Sequence, residues 1–200
     1  MRFRTREQAD VDYQVARSNG SWWEHQVRTM VTGGLIAWLE PSSIIDPACG
    51  DASLVLAAHR LHSISRATLC DISEPSVTAV IDQARAEGLP ASCEVIDAVK
   101  RLEIAVANGQ HWDVIVLTEF LEHVPDPDLI LRLARQVASQ LVASSPLIPP
   151  PGDDGNPEHL WAFDNEGYND MLHDAGWEPR VCQNLMLHGG GYNFQIWACK

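Results

Sequence analysis

The sequence predicts an α/β fold built on a doubly wound, mostly parallel sheet of seven strands that ends in an antiparallel hairpin. Three observations carry that expectation. From residue 43 onward, short apolar runs alternate with stretches that are apolar at helical spacing, the pattern of βαβ units. Three of the early runs close on an aspartate, at Asp46, Asp71 and Asp97. The last strand-like pair is joined by His188-Gly-Gly-Gly191, a turn suited to a hairpin.

The elements follow in order. Ser43-Ile-Ile-Asp46 reads as the first strand, and 52–61 is apolar at helical spacing. Ala67-Thr-Leu-Cys70 is the second strand, followed by a helix over 75–87. A third strand runs over 92–96, with a helix over 99–107 behind it. Trp112-Asp-Val-Ile-Val-Leu117 is a continuous apolar run, as a strand buried on both faces requires. The pattern then predicts a helix over 127–141 and a fifth strand over 141–144. A loop rich in Pro, Gly and Asp spans 146–157, long enough to be a lid or substrate loop. A helix over 165–175 is stopped by Gly176, and strands at 180–187 and 192–199 finish the chain. Residues 1–42 are expected to form a helical lid segment over the ligand-bearing edge of a domain spanning 43–200. Trp22 and Trp23 in that segment are expected mainly as packing residues.

Composition bounds the function. Two hundred residues make one ordinary domain. No apolar run approaches the roughly 20 residues of a membrane span, and Met1-Arg-Phe-Arg-Thr-Arg-Glu7 lacks a signal peptide's apolar stretch. A cytoplasmic protein is the expectation. The five cysteines are odd in number and show no CxxC spacing, which argues against a disulfide framework or a zinc knuckle. A formal net charge of −13, with basic residues dispersed apart from Arg2, Arg4 and Arg6, argues against a duplex DNA substrate.

The chemistry concentrates at strand ends. Asp46-Pro-Ala-Cys-Gly-Asp-Ala-Ser53 is a tight strand-to-helix turn of small residues. Such a turn lets a ligand approach the backbone at Ala48, Cys49 and Gly50 beside a helix N-terminus. No GxGxxG is present. Asp71, about 20 residues on from the turn and followed by Ile72, sits where a carboxylate accepts hydrogen bonds from a ribose diol. Asp97-Ala98 closes the third strand, where a side-chain acceptor can hold an adenine amino group. A helix cap is the plainer reading of each such Asp.

These residues together resemble the class I S-adenosylmethionine-dependent methyltransferases, whose fold is a Rossmann-like seven-stranded sheet with an antiparallel seventh strand. The resemblance runs from Ile44 to Asp128. It implies that Asp46-Pro-Ala-Cys-Gly50 is the first cofactor motif, Asp71 the ribose-binding acid and Asp97-Ala98 the adenine-side motif. Asp113-Val-Ile-Val-Leu-Thr-Glu-Phe-Leu-Glu-His-Val-Pro-Asp-Pro127 is similar to the fourth motif, placing Thr118 and Glu119 beside the cofactor. Two departures stand out: motif one has a single glycine, and the Pro-Gly-Gly turn usual before strand five is missing. The first motif is also similar to that of adenine-N6 DNA methyltransferases, but Thr118-Glu-Phe-Leu-Glu-His123 replaces their Asn/Asp-Pro-Pro-aromatic signature.

Glu119-x-x-Glu122-His123 combines two carboxylates and an imidazole at helical spacing, a donor set for Mg²⁺, Mn²⁺ or Zn²⁺. The run resembles ubiquinone-pathway O-methyltransferases and small-RNA 2′-O-methyltransferases, in both of which it is linked to a divalent metal. His159, in Pro157-Glu-His-Leu-Trp-Ala-Phe163, is placed like a further histidine of the RNA enzymes. A metal-free reading stands beside this one, with His123 or His159 as general base and Glu119 facing the acceptor. The resemblance therefore implies methyl transfer to a hydroxyl or amine of a small or medium-sized acceptor. Metal-assisted RNA 2′-O-methylation and a partner-dependent cofactor-binding module without catalysis are the alternatives. A nicotinamide-dependent reductase is disfavoured by the absent GxGxxG.

Overall fold

A computed structural model describes residues 22–148, 156–186 and 193–200. The elements run α1 (Trp22–Trp38), β1 (Ser43–Asp46), α2 (Ser53–Leu61), β2 (Arg66–Asp71), α3 (Glu74–Glu87), β3 (Ala91–Val95), α4 (Ala98–Ala107) and β4 (Trp112–Thr118). A single 3₁₀ turn (Leu121–His123) follows, then α5 (Pro127–Val137), β5 (Ala138–Pro146), α6 (Asn165–Asp174), β6 (Pro179–Leu185) and β7 (Phe194–Cys199). The seven strands form one sheet in the order β3-β2-β1-β4-β5-β7-β6. β1 to β5 pair in parallel, while β7 pairs antiparallel with both β5 and β6, so that β7 alone of the seven runs in the opposite direction. The expected fold class is the observed one. The turn at 188–191, most of the 146–157 loop, the chain before residue 22 and the Trp22 and Trp23 side chains lie outside the described residues.

The apolar run of β4 is continuous because both sheet faces are covered. Strand side chains alternate between faces. Val114 and Val116 enter one core with Ile36 of α1, Val55 of α2 and Val80 of α3. Ile115 and Leu117 enter the other with Leu102 of α4, Leu131 of α5 and Leu172 of α6. On the first face α1 approaches α2 closely: a Cβ added at Gly33 would lie 2.7 Å from that of Ala57.

One boundary departs from the sequence pattern. The helix expected over 127–141 stops at Val137, and β5 begins at once with Ala138 in an extended conformation (φ −143°). Apolar residues at 137, 138, 141 and 142 satisfy either period, and no glycine separates the elements. The parallel ladder from Trp112–Ala138 to Thr118–Ser144 wins over continued helix. At the other end of the domain, Gly176 (φ +83°) lets Trp177 N–H cap Leu172 O at 3.0 Å, ending α6 as expected.

The sheet order reverses direction between β1 and β4. In open α/β sheets the crevice outside the strand carboxyl ends at such a switch point is where ligands bind. That places the loops after Asp46, Asp71, Val95 and Thr118 around one opening.

Candidate active site

The loop after β1 is shaped by left-handed residues. Gly50 has φ +54° and Ala52 φ +53°. The lone glycine of the motif is thus only part of the turn, because an alanine tolerates the second left-handed position at a cost of about 1–2 kcal/mol. The requirement at Gly50 is conformational rather than spatial: among the described residues beyond its chain neighbours, no atom lies within 4 Å of a Cβ built there. Asp46 Oδ1 accepts from Ala48 N–H (3.2 Å), Cys49 N–H donates to Cys70 O (2.8 Å), and Gly50 N–H donates to Asp71 Oδ2 (3.0 Å). Asp71 Oδ1 takes Ser73 N–H at 2.7 Å, so this one carboxylate ties the first two strand-end loops together. Asp97 caps α4 by accepting Lys100 N–H at 3.1 Å, the plainer role weighed for it, while still reaching the opening.

A cavity of about 690 Å³ occupies this opening, within the range of small-molecule sites. At the β2–β3 end it is lined by Asp71, Ile72, Ser73, Asp97, Ala98 and Val99. Pro47 and Ala48 stand between, and the β4 end carries Glu119, Phe120, His123, Val124, Pro125, Asp126, Leu129 and Ile130. Of the expected contacts, Asp46, Cys49, Gly50 and Thr118 are not part of this lining. Burial pushes the Cys49 and Cys70 thiols up, Cys70 to about 12, which leaves them inert core groups.

Asp46 is 4% exposed. Burial first, opposed by the Ala48 N–H and reinforced by Asp71 and Asp51, raises its carboxyl to about 8. Because the folded value lies above the unfolded one, ionised Asp46 costs ligand-free stability, increasingly as pH rises from about 4 to about 8. Asp46→Asn, which retains the Ala48 hydrogen bond, is therefore expected to raise the melting temperature at pH 8 and to leave it nearly unchanged at pH 4. Thermal melts of the ligand-free protein at the two pH values check this, and an equal shift at both would contradict it.

Glu119 departs from the expected metal set. It has φ +51°, the left-handed region. Its carboxylate accepts from Ser144 Oγ (2.7 Å) and pairs with Arg28 of α1 (2.9 Å). The expected helical face does not form, because the strand-end residue is turned away from the 3₁₀ turn and held by a cation. The remaining three do converge: Glu122, His123 and His159 bring ligand atoms within 4.8 Å of one another. The backbone explains this, since Leu160 N–H donates to Glu122 O (2.7 Å) and carries the 156–161 segment back over the end of β4.

The two imidazoles have definable tautomers. His123 Nδ1 lies 3.2 Å from Glu158 O. A carbonyl only accepts, so Nδ1 carries the proton and Nε2 keeps a lone pair. Surrounding protein and then His159, whose ring stands edge-on at 4.7 Å, hold His123 below its ordinary 6.5. Asn156 Oδ1 accepts Glu158 N–H, so its amide nitrogen donates to His159 Nε2 at 3.0 Å. Glu122 is 1% exposed, and it helps burial drive the Tyr168 phenol well above 10.

Sequence reasoning missed Arg28, Ser144 and Tyr168. Arg28 and Tyr168 sit in helices far along the chain from β4, where no spacing rule announces them. His25 of α1 reaches the loop after β1, with Nε2 3.2 Å from Ser53 Oγ and 3.7 Å from Asp51.

Comparison with known proteins agrees with this geometry. Residues 44–141 match the family model described as "Methyltransferase domain". A ubiquinone biosynthesis O-methyltransferase of Xanthomonas axonopodis pv. citri is 29% identical over 136 residues. That alignment covers 62% of this chain, which spans about half (54%) of that relative's length. Among solved structures, the 1,6-didemethyltoxoflavin-N1-methyltransferase of Burkholderia thailandensis, with 1,6-didemethyltoxoflavin and S-adenosylhomocysteine bound, superposes with a TM-score of 0.70. It is 15% identical, with 100% of this chain and 91% of that one covered. The magnesium protoporphyrin IX methyltransferase of Synechocystis, with S-adenosylmethionine bound, gives a TM-score of 0.66 at 17% identity, covering 91% and 84%. Strand order, the loops at the switch point and the family match converge: residues 44–141 form a methyltransferase domain, on the Rossmann-like fold of the class I S-adenosylmethionine-dependent methyltransferases.

Proposed function

We propose that the protein transfers a methyl group from S-adenosylmethionine to a hydroxyl or amine of a small or medium-sized acceptor. The observation that carries this reading is the single cavity running from Asp71 and Asp97 to His123. Its donor set fits the cofactor: Asp71 has carboxylate lone pairs left for a ribose diol, Ile72 and Val99 offer apolar contact for a purine, and Asp97 reaches its rim. Asp46 shapes the first loop by accepting Ala48 N–H. Ala48, Cys49 and Gly50 supply backbone, with Thr118 and Glu119 at the end of β4. When bound, the cofactor supplies a methyl group activated on a sulfonium.

The chain's own residues do the rest. His123 Nε2 takes the acceptor's proton, and Glu158 O, at Nδ1, holds the ring in the required tautomer. The walls fix the acceptor in line with the methyl group, the proximity effect that such displacements depend on. Glu119 faces the acceptor as a carboxylate balanced by Arg28, and His159 steadies His123. The N-terminal segment through residue 42 acts as the lid, with His25 and Arg28 as its contacts to the site. The scattered free cysteines fit a cytoplasmic enzyme.

A second reading is favoured by the convergence of Glu122, His123 and His159. Two imidazoles and one carboxylate match the donor set of catalytic zinc sites. These residues would hold a divalent ion that lowers the pKa of the acceptor hydroxyl. Ligation through His159 Nε2 would displace the Asn156 hydrogen bond.

Calorimetric titration with S-adenosylmethionine and S-adenosylhomocysteine tests the proposal, with saturable binding of both expected. No binding of either at millimolar concentration would sink it. Binding without turnover of any acceptor would favour the partner-dependent module instead.

A further inference from the structure

The segment Asn156-Pro-Glu-His159 reaches both imidazoles of the site from one tight turn. Asn156 Oδ1 accepts Glu158 N–H at 3.0 Å, and Asn156 O accepts His159 N–H at 3.2 Å. The first of these bonds fixes which way round the amide stands. A backbone N–H only donates, so oxygen faces it and the NH₂ group takes the other side. That group lies 3.0 Å from His159 Nε2. An amide nitrogen donates in turn, so Nε2 presents its lone pair and the proton of the neutral ring sits on Nδ1. His123 also carries its proton on Nδ1, facing Glu158 O at 3.2 Å. The two rings therefore share a tautomer, but Asn156 engages the lone pair of His159.

We propose that Asn156 is a positioning residue that withdraws His159 from proton transfer and leaves that role to His123, an inference resting on the methyl transfer proposed above. A neutral imidazole has one ring lone pair. While the Asn156 amide donates to it, His159 neither takes a proton from an acceptor nor ligates an ion. The ring instead stands edge-on to His123, with centroids 4.7 Å apart. The bond is half-buried, where water competes with it less than at an open surface. Aspartate at this position is the informative change. It still accepts Glu158 N–H and so keeps the turn, but it offers Nε2 an acceptor where asparagine offers a donor. The preferred site of the His159 proton is thereby reversed.

The test is nitrogen NMR of the full chain with its histidine ring nitrogens labelled, at about pH 8, above the ordinary 6.5 of an imidazole. Couplings to the ring carbon-bound protons report which nitrogen carries the proton, and the spectrum of His159→Gln assigns the His159 signals. In the wild type, His159 is expected to hold its proton on Nδ1 with Nε2 bare. Asn156→Asp should place a proton on Nε2 while His123 keeps its own on Nδ1, and Asn156→Ala should leave His159 in a mixture of tautomers. A merely structural Asn156 would lower the melting temperature of the variants without moving the proton. The inference is overturned if wild-type His159 carries its proton on Nε2, or if neither substitution changes that ring. Either result leaves the proposed methyl transfer standing, because the spectra need neither cofactor nor acceptor. Failure of S-adenosylhomocysteine to bind removes the methyl transfer and, whatever the tautomers, the role given to Asn156.

Discussion

Replacing His123 with alanine is expected to lower kcat about a hundred- to ten-thousandfold, the usual contribution of a positioned general base, while S-adenosylmethionine affinity changes only a few-fold. The ring stands at the β4 end of the cavity, away from the Asp71–Asp97 end, which is why the two effects separate. Its protonation state supports the role: burial and His159 hold the imidazole below 6.5, so the base form persists to lower pH than a free histidine would allow. The acidic limb of the kcat profile should accordingly fall below pH 6.5. Strong chelation decides between the two mechanisms. If activity survives it and only His123→Ala is crippling, the base reading holds. If chelation abolishes turnover, Mg²⁺, Mn²⁺ or Zn²⁺ restores it, and Glu122→Ala mimics the chelator, then the histidines act as ligands. A His123→Ala variant with undiminished kcat would remove His123 from the chemistry altogether.

The fold was legible because its signals are local and periodic. The βαβ alternation, the Asp at successive strand ends and the unbroken run at β4 each report directly on burial and topology. The one boundary error, at Val137–Ala138, arose where apolar spacing fits helix and strand equally and only the ladder with β4 decides. The site was legible in part. Asp71, Asp97 and His123 are positioned by the ends of regular elements, so their places follow from the strand count. Glu119 lines the cavity but stands apart from the Glu122, His123 and His159 group, because a left-handed backbone at a non-glycine residue is invisible to spacing rules, and so is the Arg28 that holds it. The return of His159 over Glu122 depends on backbone hydrogen bonds from a distant loop. Only the resemblance to known enzymes hinted at it.

Asp71→Ala tests the cofactor end with the largest expected loss of binding. Asp71 already accepts Gly50 and Ser73 N–H, and a carboxylate has about four acceptor sites, so two remain for a ribose diol. Hydrogen bonds to a charged group contribute about 1.5–3 kcal/mol each. Losing two predicts roughly 3–6 kcal/mol, or about a hundred- to tens-of-thousandfold weaker S-adenosylhomocysteine binding. The same substitution orphans two backbone N–H groups at about 1–3 kcal/mol each where they are shielded from water, so the melting temperature falls as well. Calorimetry well below the melting temperature of the variant separates the two effects. Asp71→Asn is the informative companion. Its amide turns a donor towards one of the two N–H groups, so it should destabilise the loop while keeping one ribose contact, giving affinity between wild type and Asp71→Ala. If Asp71→Ala binds S-adenosylhomocysteine as tightly as wild type while melting lower, Asp71 serves only to join the two loops, and the ribose contact must be sought elsewhere along the cavity.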